Sequence, residues 1–373
     1  MKIGTIEAIV VKAPVPGIET WQAASFAVPF RWAESTLVKV TADDGTIGWG
    51  EVHAPVAPEV TKTAIDVLIA PALIGANPLD TAPLWDRMYA LMRPRGHALG
   101  FMLEAMSGVD IALHDLAGQA LGVPCYALLG GLQQPKVRTY ASVLQWLAPD
   151  DLAEAALRHR DAGFTAMKLK VGQGTAVDRR KVEAVRAAVG PDFDLMADAN
   201  CRYTVPEAVA MARVLEEHGA VWFEEPLPPE DVAGYRELRG RVDVAIAGGE
   251  CECTHYRFAE LLAQRTFDIL QPDICRAGGL TACHRIGVLA SAHHARVAPH
   301  VSIGSAIHVV ASAHWAASER HAFLHEFPVF PNPLVDDLLA DGVGWESGYL
   351  HVSDRPGLGM TVDEDVVARY RTA

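Results

Sequence analysis

The sequence has no run of 18 apolar residues, no C-x-x-C pair, no low-complexity tract and no excess of basic residues. Each absence removes a class of function. No segment reaches the length a membrane-spanning helix needs, about 20 apolar residues. With 46 acidic against 32 basic residues and a formal charge of −14, the chain repels nucleic acid and anionic lipid, so neither is expected as a partner. Six cysteines without paired spacing in 373 residues read as reduced thiols, not as a disulfide framework. The opening stretch MKIGTIEAIVVKAPVPG has no basic region, and Glu7 interrupts its apolar run. A secretory signal is therefore not expected, and a cytoplasmic location is.

What is present is a large supply of core: half the residues are hydrophobic. Residues 1–52 read as an antiparallel meander, with a hairpin signal at Asp44-Gly45 between two strand-like runs. Residues 14–33, bearing Pro and aromatic residues, read as a long loop. Residues 60–121 read as helical. In GFMLEAMSGVDIALHDLAGQALG the residues Met102, Met106, Val109, Leu113, Leu116 and Ala120 recur at helical spacing until Gly122 and Pro124 end the pattern. LLGGLQQPK then reads as a linker.

From Thr139 onward short apolar runs alternate with helical stretches: TYASVL, TAMKLKV, DLMADAN, AVWFEEP, VAIAGGE, FDILQPD, RVAPHV and AFLHEF. Strand–helix alternation means parallel pairing, and eight such runs predict an α/β barrel of the TIM type. The tail GYLHVSDRPGLGMTVDEDVVARY returns to strand and turn signals and is expected to pack on the first unit.

The runs are apolar until charged groups appear near their ends: Lys168 and Lys170, then Asp198, Glu224, Glu250, Asp273, His300 and Glu326. From Asp198 to His300 the steps are 26, 26, 23 and 27 residues. One strand, one helix and two connections come to roughly 25 residues, so each step is one strand–helix unit. Every group then lies at the same end of its strand, and in a barrel those ends share one mouth. An isolated K-x-K is most simply the wet face of a strand, and a single strand-end carboxylate most simply a helix cap. Three carboxylates in register need a cation to relieve their repulsion, and hard oxygen ligands suit Mg²⁺ or Mn²⁺. Beside such a cation the two ammonium groups are expected to lower each other's pKa, which makes one of them a base. Asp273, one unit before His300, is placed to accept a hydrogen bond from the imidazole and orient it as a second base. Cys251 and Cys253 flank this region, but strand alternation turns them from the face of Glu250, so no soft-metal site is expected there.

These residues resemble the enolase superfamily, and within it the mandelate-racemase-like subgroup. The resemblance covers nearly the whole chain and is carried by GVDIALHDLAGQALGVPCYALLGG, KLK, DAN, EEP, GGE, QPDICRAGG, PHVSIG and PGLG. It implies a modified (β/α)7β TIM barrel over residues 131–330. It also implies an α+β capping domain of residues 1–130, to which residues 331–373 return. It implies Mg²⁺, with Mn²⁺ as a substitute, on Asp198, Glu224 and Glu250. Lys170 is then the base on one face, Lys168 the contact of the substrate carboxylate, and the Asp273–His300 dyad the base on the other face. Glu326 bonds the carboxylate as it becomes an enediolate, with Ser142, Asn200 and His53 as further substrate contacts. A muconate-lactonising enzyme carries a lysine on the sixth strand, where LQPDICRAGG has Asp273 instead.

The local match is to acid-sugar dehydratases and sugar-lactone cycloisomerases. The expected reaction is therefore α-proton abstraction from a small carboxylate, followed by β-elimination from a sugar acid or lactone. Racemisation or epimerisation is the alternative. A non-catalytic sugar-acid binding protein would not need two bases. The loop 14–33 and the segment EVHAPVAPEV after Glu51 are the expected lid, and the chain is expected to form a homo-oligomer.

Overall fold

The computed structural model describes residues 1–16, 30–53 and 55–372. The first sheet is antiparallel: β1 (Ile3–Pro14), β2 (Trp32–Ala42) and β3 (Ile47–Val52), in the order β1-β2-β3. The Asp44-Gly45 turn joins β2 to β3, with Gly45 at φ 90° as a tight hairpin requires. Against this sheet lies the helix Phe101–Leu121, buried along most of its length because the sheet covers one side and the barrel the other. Gly48 and Gly50 of β3 allow the contact. A Cβ at either would stand 2.1 Å from Ala112 O or 2.0 Å from Gly108 O.

The second sheet is parallel in its main part: β4 (Lys136–Ser142), β5 (Ala166–Lys170), β6 (Asp194–Asp198), β7 (Trp222–Glu224), β8 (Ala245–Gly248), β9 (Ile269–Leu270) and β10 (Arg296–Val297), neighbours in that order. β11 (His325–Pro328) pairs with β4, and a parallel bridge between Val297 and Ala322 closes the ring. All eight runs read from the sequence are strands of this barrel. Among the described residues seven helices connect them: Pro149–Asp161, Thr175–Val189, Val205–Glu217, Val232–Arg239, Thr254–Ala263, Gly279–Ala292 and Ala306–Ser318. This is a (β/α)7β barrel with a separate antiparallel N-terminal unit. Among the described residues no helix is long and apolar enough to cross a membrane.

The barrel floor takes one residue from each strand or its flank: Tyr140, Ala166, Met196, Trp222, Ala247, Ile269, Ala298 and Leu324. A strand turns alternate residues inward, so the next inward residues above Ala166 are Lys168 and Lys170, and those above Met196 and Trp222 are Asp198 and Glu224. Met167 and Leu169 face the helices, where they join the main core.

The tail divides between the two units. β12 (Trp345–Glu346) and β13 (Tyr349–His351) form a hairpin, and β13 pairs antiparallel with β4 of the barrel. Further on, Arg371 bridges Val11 of β1, and Lys39 pairs with Glu364 at 2.7 Å. The strand and turn signals of the tail predict contact with the first unit, and the hairpin adds a contact with the barrel. The β4 edge, unpaired below its short parallel stretch, accounts for the added hairpin.

Two carboxylates of the first unit fasten it to the mouth. Asp110 accepts Thr281 N at 2.9 Å and Thr281 Oγ1 at 2.7 Å, at the start of the helix Gly279–Ala292. Glu51 accepts Ser305 N at 2.6 Å and His308 N at 2.9 Å, at the start of the helix Ala306–Ser318. Helix starts present unpaired N–H groups and a partial positive charge, so each cap is worth about 1 kcal/mol. Helices of this barrel begin at the mouth, so these caps hold the first unit over it.

Candidate active site

Strand register sets the innermost row. Lys170 stands beside Asp198, and Asp198 beside Glu224. Ser142 stands beside Lys168, and Glu326 beside Tyr140. Lys168 and Lys170 are 0% and 5% exposed, which rules out the solvated strand face. Lys168 Nζ donates to Glu224 Oε1, lies 3.0 Å from Glu326 Oε1 and 3.7 Å from Asp198 Oδ2. Lys170 Nζ donates to Asp198 Oδ2.

Two buried ammonium groups are stable here only because carboxylates outnumber them. Burial pulls both lysines toward lower pKa, but Glu224 and Glu326 around Lys168, and Asp198 beside Lys170, outweigh it. Both are raised, Lys168 strongly, because the surrounding carboxylates outweigh burial and, at Lys170, the repulsion from Lys168. The acids respond in opposite directions. Burial would raise Asp198, yet the two lysines hold it down at about 2. Burial raises Glu224 to about 7, Lys168 opposing and the neighbouring carboxylates reinforcing.

Asp198, Glu224 and Glu250 each offer a carboxylate oxygen, and these lie within 4.8 Å of one another. Asn200 N and Nδ2 bind Asp198 at 2.8 and 3.2 Å, while Trp222 Nε1 and Gln271 Nε2 bind Glu224 Oε2 at 2.9 and 2.6 Å. The donor set is all oxygen and held from behind by hydrogen bonds. Such a set fits a hard divalent cation.

Across the barrel, His300 Nδ1 lies 2.7 Å from Asp273 Oδ2, and Cys275 N donates to Asp273 Oδ1 at 2.8 Å. Asp273 accepts from Nδ1–H, which leaves Nε2 facing the mouth, 3.2 Å from Glu250 Oε2 and 3.8 Å from Glu326 Oε2. Burial works against the imidazolium, but Glu250, Glu326 and Asp273 raise His300 to about 9. Glu326 accepts Ser142 Oγ at 2.5 Å and Val301 N at 3.0 Å; burial is outweighed by Lys168 and His300, leaving it at about 2. His53 is 4% exposed and stands edge-on to His300 with ring centroids 6.0 Å apart.

All eleven residues singled out from the sequence lie around this mouth. The main part of the expected lid, residues 17–29, lies outside the described residues, as does residue 54. Five site residues sit beyond their strands: His53 after β3, Asn200 in the turn after β6, Glu250 in the turn after β8, and Asp273 and His300 beyond β9 and β10. For that reason the alternation argument about Cys251 fails. Its sulfur lies within 4.8 Å of carboxylate oxygens of Glu225 and Glu250. Cys253 does turn away, into the core of the first unit. Sequence reasoning missed Gln271 on Glu224, Glu225, and His308, whose Nε2 lies 3.2 Å from Asp273 Oδ1. Gln271 had a signal: it lies two residues before Asp273 in the same QPD motif.

Two family models match the chain: "Enolase C-terminal domain-like" over residues 151–366, and "Mandelate racemase / muconate lactonizing enzyme, N-terminal domain" over residues 6–130. The D-galactarolactone cycloisomerase of Agrobacterium fabrum is 35% identical over 360 residues, covering 93% of this chain and 94% of its own. The arabinonate dehydratase of Saccharolobus solfataricus is 32% identical over 344 residues, covering 91% of each chain. Among solved structures, the 3,6-anhydro-D-galactonate cycloisomerase from Zobellia galactanivorans superposes with a TM-score of 0.89 at 36% identity, covering 100% of both chains.

Proposed function

The chain belongs to the mandelate racemase and muconate lactonizing enzyme family of the enolase superfamily, and from that premise we propose that it takes the α-proton from a sugar-acid carboxylate or its lactone and completes a β-elimination, by dehydration or by lactone opening. A hard divalent cation on Asp198, Glu224 and Glu250, Mg²⁺ or in its place Mn²⁺, would supply positive charge to the substrate's carboxylate oxygens. Burial lowers the pKa of Lys170 and the Asp198 charge raises it, so with that charge offset by the cation the amine form is favoured, and it takes the α-proton through Nζ. The C–H electron pair becomes the enediolate, whose growing charge Lys168 offsets from the floor of the site. Glu326, anchored by Ser142 and Val301, fixes the position of Lys168 on that side. The enediolate electrons then expel the β-oxygen, and His300 Nε2 gives it a proton.

The observation that carries this reading is the orientation of His300. Asp273 holds Nδ1 at 2.7 Å, so Nε2 faces the mouth and comes within 3.2 Å of Glu250 of the triad, while Lys170 bonds its Asp198. Epimerisation is the second reading, favoured by the same arrangement: a proton taken by Lys170 from one face can be replaced by His300 on the other. His300→Asn separates the two groups' roles. In D₂O the variant is expected to lose the elimination product yet still exchange the α-proton through Lys170, accumulating deuterated substrate. Elimination at the wild-type rate in this variant would overturn the assignment.

A further inference from the structure

We propose that Cys251, Glu225 and Glu250 form a second cation site, built for a soft or borderline divalent ion such as Zn²⁺, beside the carboxylate triad and sharing Glu250 with it. The two sets are distinct in chemistry. Asp198, Glu224 and Glu250 are oxygen donors only, whereas the second set replaces two of them with Glu225 and a sulfur. Mg²⁺ avoids sulfur, and Zn²⁺ accepts it.

The backbone explains how two adjacent carboxylates serve two sites. Glu225 follows Glu224 at a φ of 36°, outside strand geometry. The alternation stops there, so Glu224 enters the triad while Glu225 turns toward Cys251. Glu225 is 3% exposed, and Cys201 Sγ donates to its Oε2 at 3.4 Å, bringing a second thiol beside the cluster. Ligand atoms around tetrahedral zinc stand roughly 3.3–3.8 Å apart, given bonds of about 2.0–2.3 Å. Atoms already within 4.8 Å reach that spacing by small rotations of the Glu225 and Cys251 side chains. Arg276 Nη1 lies 3.8 Å from Cys251 Sγ and 3.1 Å from Glu250 O, which fixes the sulfur beside the Glu250 backbone.

Of the three ligands, Cys251 is the one reached from outside. Cys251 is exposed and lines a cleft of about 470 Å³ together with Leu99, Pro229, Glu252 and Arg257. On binding, the thiol proton leaves to solvent and the sulfur lone pair goes to the cation. Because Glu250 serves both sets, an ion held by Cys251 competes with the triad for that carboxylate.

The test is a Cd²⁺ titration of the metal-free full-length protein, read by the ultraviolet absorption band of a cadmium–thiolate bond. Wild type is expected to show the band saturating at one equivalent. Cys251→Ser should abolish it, and Glu225→Gln should weaken binding by at least about tenfold. Asp198→Asn, which alters the triad alone, should retain the band. No band in wild type, or a band that survives Cys251→Ser, overturns the proposal. Since the readout is absorption and not turnover, its failure leaves the reading of the triad untouched.

Discussion

Replacing Asp273 by Asn changes one atom and should remove most of the turnover, for reasons visible in its two hydrogen bonds. Oδ1 accepts the backbone N–H of Cys275 at 2.8 Å, and Oδ2 accepts from His300 Nδ1 at 2.7 Å. The Cys275 N–H cannot rotate and remains a donor, so the new amide must keep its oxygen there. Its NH₂ then faces His300. The ring must accept at Nδ1, and its only proton moves to Nε2, the nitrogen that faces the mouth. That ring can no longer take a proton at Nε2, and the negative charge that steadies the imidazolium is gone. An amide in the place of the carboxylate behind a catalytic imidazole costs about 10⁴-fold in kcat in the worked case of the serine-protease triad. That loss corresponds to about 5.5 kcal/mol. KM should change little, because Asp273 stands behind the ring. Steady-state kinetics, with α-proton exchange followed in parallel by NMR, would check this: kcat falls while exchange through Lys170 continues. A variant with kcat within about tenfold of wild type, or one whose exchange falls as far as its turnover, would refute this role for the dyad.

Two further outcomes follow from other parts of the structure. Stripping divalent cations should abolish turnover and Mg²⁺ should restore it, while Glu224→Gln should stay inactive at any Mg²⁺ concentration; full activity in excess chelator contradicts the triad. His314 is held by Tyr126 N at 3.4 Å and Leu358 O at 3.1 Å, and burial lowers its pKa to about 4. An unfolded histidine titrates near about 6.5, so between the two values the folded chain binds fewer protons than the unfolded one. The resulting stability is complete above pH 6.5 and is lost as the pH falls toward 4, by about 3 kcal/mol over the window. Denaturant melts should show wild type losing about 2 kcal/mol more than His314→Gln between pH 6.5 and 5; equal slopes would contradict this.

Much of the site was legible because barrel geometry is periodic. Steps of 23–27 residues place Asp198, Glu224, Glu250, Asp273 and His300 at one mouth from the chain alone. Alternation placed Lys168 and Lys170 on one face, although which face was wet had to come from the acids. Where the chain leaves the strand, alternation says nothing. That is why Cys251, one residue after Glu250 in a turn, was placed on the wrong side. The clamps were hidden for a different reason. Glu51 and Asp110 reach their helix starts across chain separations that no local pattern encodes, and their sequence surroundings read only as a strand end and an amphipathic helix. The raised pKa of Lys168 depends in part on Glu326, which approaches it from a strand 158 positions further on, a neighbour that no local pattern encodes.

The central claim is that Lys170 and His300 act on a carboxylate substrate by α-proton removal and β-elimination. The most direct measurement is a proton NMR screen of sugar acids and their lactones with wild-type enzyme and Mg²⁺ in D₂O. The account predicts that the best substrate loses its α-proton signal as a dehydrated 2-keto acid or an opened lactone appears. If that substrate is converted only into its opposite configuration, with deuterium at the α-carbon and no eliminated product, the elimination claim is wrong and the protein is an epimerase.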